Sequence, residues 1–214
     1  MKTSVKSIYD TLLTRYPVLS VCADEILHAY SILETCYTSG SKVLICGNGG
    51  SASDSDHIVG ELMKGFMLRR PINDKTRAAL CDMYGEEGNF LADNLQGALS
   101  AINLTAQSAI QTAFANDVEP DMVFAQQVYG YALPGDVVIG LSTSGNSANV
   151  VNAAKIAKLK GAAVISMTGE GGGKLKGLSD AAINVPETET YKIQELHLPI
   201  YHTLCAMIEA HFFG

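Results

Sequence analysis

Lys42-Val43-Leu44-Ile45-Cys46 opens directly into Gly47-Asn48-Gly49-Gly50-Ser51, and this junction decides the fold. A short run that is apolar on both faces reads as a strand buried in a parallel sheet. The glycines after it read as a tight turn into a helix that starts near Ser51. Glycine admits positive φ and close backbone approach, and the free N–H groups of a helix start attract an anion. On its own, such a turn is also what a plain strand-to-helix connection needs. Further along, Asp136-Val137-Val138-Ile139-Gly140-Leu141 leads in the same way into Ser142-Thr143-Ser144-Gly145-Asn146-Ser147. Hydroxyl side chains crowded at a helix start offer donors to the oxygens of a phosphate without any lysine or arginine. Two such turns at the carboxyl ends of strands outweigh the plain N-cap reading, because ligands of open α/β sheets bind at that edge.

Outward from these turns, apolar runs at Arg77–Cys81, Ala162–Met167 and Ala181–Val185 are expected strands, and the spacing predicts a helix over Asn149–Lys160. Apolar residues recur at helical spacing from Ser4 to Thr38 with a break near Pro17, so two helices are expected there. The segment Asp82–Gln127 is expected to be helical around Leu99–Phe114. Tyr191–Phe213 is a long amphipathic helix, interrupted or started at Pro199, whose ring cannot donate the backbone bond to Glu195. Short strands alternating with helices define an α/β class, a three-layer αβα sandwich around a parallel sheet. No repeat, charge block or low-complexity tract divides residues 1–214, so a single domain is expected.

Composition narrows the partners. In 214 residues, 47% are hydrophobic and 17% charged, which excludes disorder and implies extra buried area in an oligomer. A formal net charge of −7 argues against a nucleic-acid partner. No stretch is long and apolar enough for a signal segment or a membrane span, so a cytoplasmic protein is expected. The five cysteines, an odd number without a CxxC pair, read as reduced thiols and not as a disulfide framework or zinc ribbon. Two nucleotide patterns fail: Thr168 and Leu175 spoil a P-loop at Gly169–Lys174, and Gly47-x-Gly49-x-x-Ala52 lacks the acidic residue that would hold a ribose. No nucleotide cofactor is expected.

Two polar clusters interrupt the apolar pattern. His57 and Glu61 share one face of the helix after the first turn, as a metal pair, an acid–base pair or a solvated i,i+4 couple. Gln194, His197 and His202 lie in the terminal helix. Gln194 and His202 are about 12 Å apart along an ideal axis, a long reach for one ion unless the helix distorts or different subunits contribute.

With both turns and both clusters in order, the chain resembles the sugar-isomerase (SIS) domain family. The resemblance implies a five-stranded flavodoxin-like parallel sheet with N-terminal helices and a long C-terminal helix. It also implies a homotetramer with active sites between subunits, residues 1–40 serving as an assembly arm. Residues 74–115 are an enlarged middle segment, unlike the family's counterpart. Sugar phosphate is implied on Asn48, Gly49, Gly50, Ser51, Ser142, Thr143, Ser144 and Ser147, with Asn116, Asp117 and Gln194 also contacting substrate. His57, Glu61, Gln194 and His202 match the family's zinc ligands, one ion per subunit. The implied reaction is ketose–aldose isomerisation of a sugar phosphate, sedoheptulose 7-phosphate first, through a cis-enediol. Glu61 is the expected base and His202 the expected acid, both of which compete with their metal roles. The alternative is a non-catalytic SIS-domain protein that binds a sugar phosphate or associates with a replication initiator. The family's arginine after Glu61 is absent from Met63-Lys64-Gly65-Phe66, leaving Lys64, Arg69 or Arg70 as replacements.

Overall fold

The computed structural model describes residues 1–214. Five parallel strands, β1 (Val43–Cys46), β2 (Ala101–Asn103), β3 (Val137–Leu141), β4 (Ala163–Thr168) and β5 (Ala181–Asn184), lie in the order β2-β1-β3-β4-β5. From β1 the chain crosses to β2 on one side and returns to β3 on the other. The β1/β3 edge is therefore the point where connections diverge and a crevice opens. Cys46 pairs in register with Gly140, so the turns that leave β1 and β3 emerge side by side.

Alternation along β1 sends side chains to two cores. Val43 and Ile45 face the layer of α1 (Thr3–Arg15), α2 (Ala23–Thr38), α3 (Gly50–Met63) and α10 (Thr190–Phe213). Leu44 and Cys46 face the layer of α7 (Val123–Tyr131) and α8 (Ala148–Leu159). Both faces of the sheet are covered, which is why its strands read as unbroken apolar runs. No helix is long and apolar enough to cross a membrane. All five cysteines are unpaired, and burial pushes the Cys36, Cys46 and Cys205 thiols up to about 12.

Three local expectations are corrected. Arg77–Cys81 is not a strand but the middle of α4 (Asp74–Tyr84), because Ala78, Ala79 and Leu80 favour helix and Asn73 caps it by accepting from Thr76 N. The second strand, at the sheet edge, lies instead at Ala101–Asn103, inside the stretch read as helix. Val43 N donates to Ser100 O and Leu104 N to Ile45 O, so pairing with β1 overrides the helical propensity of the alanines. The helix in that stretch begins later, as α6 (Ser108–Asp117), after α5 (Glu86–Asn94). Finally, α10 runs unbroken through Pro199, whose own side is buried while Glu195 is exposed, so solvent can take the carbonyl left without a partner.

His197 is wholly buried on α10, its Nε2 3.3 Å from Thr168 O and its Nδ1 without a partner. Burial pulls its imidazole down from 6.5 to about 4, with the Thr168 bond opposing. The unfolded chain takes up a proton that the folded chain refuses, so this contribution to stability is complete above about pH 6.5. It is lost as pH falls toward about 4, by on the order of 3 kcal/mol. Denaturant titrations across that range are expected to show a shallower loss for His197→Gln than for the parent; parallel curves contradict this.

Candidate active site

The first turn enters α3 through Gly49, whose φ of +56° lies in the left-handed region that favours glycine. A Cβ on Gly50 would come within 2.7 Å of Gln194 Nε2, so the missing side chain is what lets α10 lay its amide against the start of α3. Asn48 and Asn149 exchange amide hydrogen bonds of 3.0 and 2.9 Å, joining the first turn to the first turn of α8. In the second turn, Ser142 and Ser147 hydroxyls are 2.9 Å apart, and Ser144 Oγ accepts from Asn146 N. Ser147 stands at the N-cap without bonding the helix N–H groups; Asn149 Oδ1 takes Val150 N at 2.9 Å, leaving the N–H groups of Ala148 and Asn149 available to an anion. Gly145 at φ +64° packs so tightly on Gly172 that a Cβ would fall 2.1 Å from Gly172 O. The Gly-rich stretch after β4 therefore braces the second turn: Leu175 N donates to Gly145 O and Lys174 N to Asn146 Oδ1.

Below these turns, α3 and α10 bring His57, Glu61 and His202 together. His57 Nε2 lies 3.2 Å from Glu61 Oε1 and 3.4 Å from His202 Nε2. Lys64 Nζ stands 3.4 Å from Glu61 Oε2, and the Phe66 ring faces His202 at 5.6 Å between centroids. Burial, then the charge of His57, pulls the His202 imidazole below its ordinary value, with Glu61 opposing. It is thus held neutral near pH 7. Tetrahedral zinc at about 2.0–2.1 Å from each ligand sets donor atoms about 3.4 Å apart, and both His57 distances are of that size. Nowhere in the isolated chain, however, are three or more His, Cys, Asp or Glu side chains already arranged to hold a metal ion. Donor chemistry and pair distances suit zinc, while a closed cage is not formed within one chain. Gln194 has no hydrogen bond to the other three; it stays beside Gly50. Asn116 and Asp117 are exposed at the end of α6, bonded to each other.

What fixes the end of α3 is Arg70. Its Nη1 donates to Leu62 O at 2.7 Å and its Nη2 to Glu61 O at 3.0 Å, capping carbonyls that the helix leaves free. Its Nε pairs at 2.8 Å with Glu209 of α10, whose carboxylate also accepts from Phe66, Met67 and Leu68 N. Both side chains are within 1% of full burial. Arg70 is thus a buried cap of α3 and not a replacement for the family's arginine after Glu61; Arg69 is exposed. Asn149, the Arg70–Glu209 pair, and the Tyr201 hydroxyl, which donates to Asp54 Oδ1 at 3.1 Å and lies 3.1 Å from His57 Nδ1, escaped sequence reading. The one available signal was Glu209, a lone carboxylate in the apolar run Cys205-Ala206-Met207-Ile208-Glu209-Ala210.

An open parallel sheet with glycine- and hydroxyl-rich turns at its switch point, and a His/Glu cluster on the helices beside them, defines the SIS class of α/β domains; the SIS domain family model matches residues 78–169. Phosphoheptose isomerase of Rhodospirillum rubrum is 35% identical over 209 residues, 98% of this chain and 97% of that protein. The structure of phosphoheptose isomerase GmhA from Neisseria gonorrhoeae superposes with a TM-score of 0.70 at 31% identity, over 96% of this chain and 91% of that one. That of a phosphoheptose isomerase from Francisella tularensis gives 0.74 at 26% identity, over 98% and 100%. The chain belongs to the phosphoheptose isomerase family.

Replacing Glu209 by leucine leaves Arg70 buried and uncompensated, so a loss of about 3–5 kcal/mol in denaturant unfolding is expected, of which Arg70→Met in the same chain recovers part. A loss under about 1 kcal/mol for Glu209→Leu would show that the pair does not hold α3 to α10.

Proposed function

We propose that this chain isomerises sedoheptulose 7-phosphate to D-glycero-D-manno-heptose 7-phosphate. The observation that carries the reading is the approach of Glu61, His57 and His202 from two helices, on a chain whose two anion-ready turns flank the β1/β3 crevice. A module that only binds a sugar phosphate needs the turns but no base. The phosphoryl group sits on the N–H groups and hydroxyls of Asn48–Ser51 and Ser142–Ser147, where helix starts substitute for cationic side chains. Glu61 takes the C1 proton as the electron pair forms the C1=C2 bond and the C2 carbonyl oxygen gains a proton. From the cis-enediol, O1 loses its proton as the aldehyde forms, and Glu61 returns a proton to C2. His202, held neutral, moves the proton between O1 and O2. Asn116, Asp117 and Gln194 are assigned to the sugar hydroxyls.

Zinc is assigned to His57, Glu61, His202 and Gln194, one ion per chain; when bound it polarises the carbonyl and stabilises the enediolate charge. On ideal helix rise, Glu61 lies about 16 Å from Gly50. That separation supports a homotetramer in which neighbouring copies complete each site, with residues 1–40 in the interface. Unpaired thiols support a cytosolic setting.

Purified protein given sedoheptulose 7-phosphate in heavy water is expected to form the aldose with deuterium at C2. Glu61→Gln is expected to lower turnover at least 1,000-fold, on the order of 4 kcal/mol of barrier, while retaining phosphate-ester binding. If parent and variant bind equally and neither converts the ketose, the binding-module reading replaces this one. Metal analysis of protein prepared without chelator is expected to find about one zinc per chain, and full activity in zinc-free protein contradicts the metal role.

A further inference from the structure

The segment between Pro71 and Gln96 leaves the body of the domain and returns to it through one narrow neck. Pro71 and Gln96 face each other in an antiparallel bridge, Gly97 N donates to Arg70 O at 2.6 Å, and Gly65 N donates to Gln96 Oε1 at 2.7 Å. Beyond the neck, α4 and α5 form a hairpin that turns at Gly85, whose φ is +58°. Its inner seam is built from small and polar groups. Gly88 and Ala92 are the buried residues of α5, and a Cβ on Gly88 would fall 2.0 Å from Leu80 O. Arg77 pairs with Asp93 at 2.8 Å, and Cys81 Sγ donates to Asn89 Oδ1 at 3.0 Å. No residue of α4 is buried. The large apolar side chains lie outside the seam: Met83, Tyr84, Phe90, Leu91 and Leu95 are between 39% and 68% exposed. Helices of 11 and 9 residues are shorter than the roughly 12–15 at which an isolated helix is marginal in water. A hairpin with its apolar residues turned outward needs a second surface to bury them.

We propose that this hairpin is a self-association surface that pairs with the same hairpin of a second copy of the chain, the two closing into a four-helix bundle. Area supports a second copy: five side chains at those exposures offer on the order of 100 Å² each, so two hairpins bury about 1,000 Å², where specific interfaces begin. Charge sets the direction. The tip carries Asp82, Glu86 and Glu87, all exposed. At the base, exposed Arg69 and Lys75 outnumber Asp74, while Arg77 and Asp93 neutralise each other. A two-fold axis across the hairpins therefore lays each acidic tip on the basic base of the other copy, whereas a parallel pairing would press the two tips together. The pattern is complementary to itself and calls for no foreign partner. This contact is separate from the assembly assigned to residues 1–40, and it does not depend on the isomerase reading.

The test uses purified full-length protein carrying a photoreactive benzophenone side chain at position 84, together with the variants Phe90→Glu, Leu91→Glu and Phe90→Leu. Irradiation and peptide mapping are expected to join the tip of one copy to the base of another, within residues 72–78 or 92–96. In sedimentation equilibrium, Phe90→Glu and Leu91→Glu are each expected to raise the dissociation constant of the assembly by about 30-fold or more, because a carboxylate enters the apolar seam between copies. Phe90→Leu, which keeps that seam apolar, is expected to stay within a few-fold of the parent. The substituted side chains are exposed in the single chain, so the rest of the fold survives and the loss reads on association. A cross-link from tip to tip, a cross-link to any other part of a neighbouring copy, or none between copies overturns the inference; so does a dissociation constant unmoved in both glutamate variants.

Discussion

The buried pair of Arg70 and Glu209 is the contact on which the site's geometry depends. Moving two charges out of water is unfavourable, and their attraction offsets that only when every remaining donor and acceptor is satisfied. Here the condition is met: Glu209 takes three backbone N–H groups of the segment after α3, and Arg70 caps two carbonyls of the last turn of α3. The Phe213 ring lies 4.9 Å from the guanidinium and closes the pocket from the far end of α10. One interaction thus ties the end of the helix that carries Glu61 to the helix that carries His202. Glu61 and His202 are 141 residues apart in sequence, by subtraction of their numbers. Apolar packing of Ile58 and Leu62 in one core with Leu204 and Cys205, and the Tyr201–Asp54 hydrogen bond, join the same two helices, and the ion pair fixes the end of α3 beyond Glu61.

The sheet contributes at the opposite end. Its strand order leaves a crevice between β1 and β3, and both glycine- and hydroxyl-rich turns open there. Asn48 and Asn149 bridge it, and the segment after β4 braces its floor. Backbone direction thus makes both turns ready for an anion, and the phosphate site proposed there needs no basic patch in a chain of net charge −7.

Much of this was legible in the sequence where the signal is local. A parallel strand buried on both faces is an apolar run, and a turn that approaches a ligand needs glycine, so β1, β3, β4 and β5 and the two turns could be read directly. The i,i+4 spacing placed His57 beside Glu61. What could not be read was set by partners distant in the chain. Ala101–Asn103 is a strand because β1 offers it an edge, not because its residues favour one; the alanines and leucine of α4 imitate a buried strand only when their helical spacing is overlooked. Tyr201, Asp54 and Arg70 likewise gain their roles from the crossing of α3 and α10, a contact with no signature in either helix alone. His202 was legible by its motif and Glu209 only as an anomaly.

The account stands on a single spatial relation between the anion-ready turns and the Glu61–His202 couple. A crystal structure of the Glu61→Gln protein soaked with sedoheptulose 7-phosphate measures it directly. The expected map has the phosphoryl group against Gly49–Ser51 and Ser142–Ser147 and the C1–C2 end within hydrogen-bond reach of residue 61 and His202, from one chain or from neighbouring copies. A phosphoryl group bound away from both turns, or a C1–C2 end beyond reach of those side chains in every copy, would contradict it.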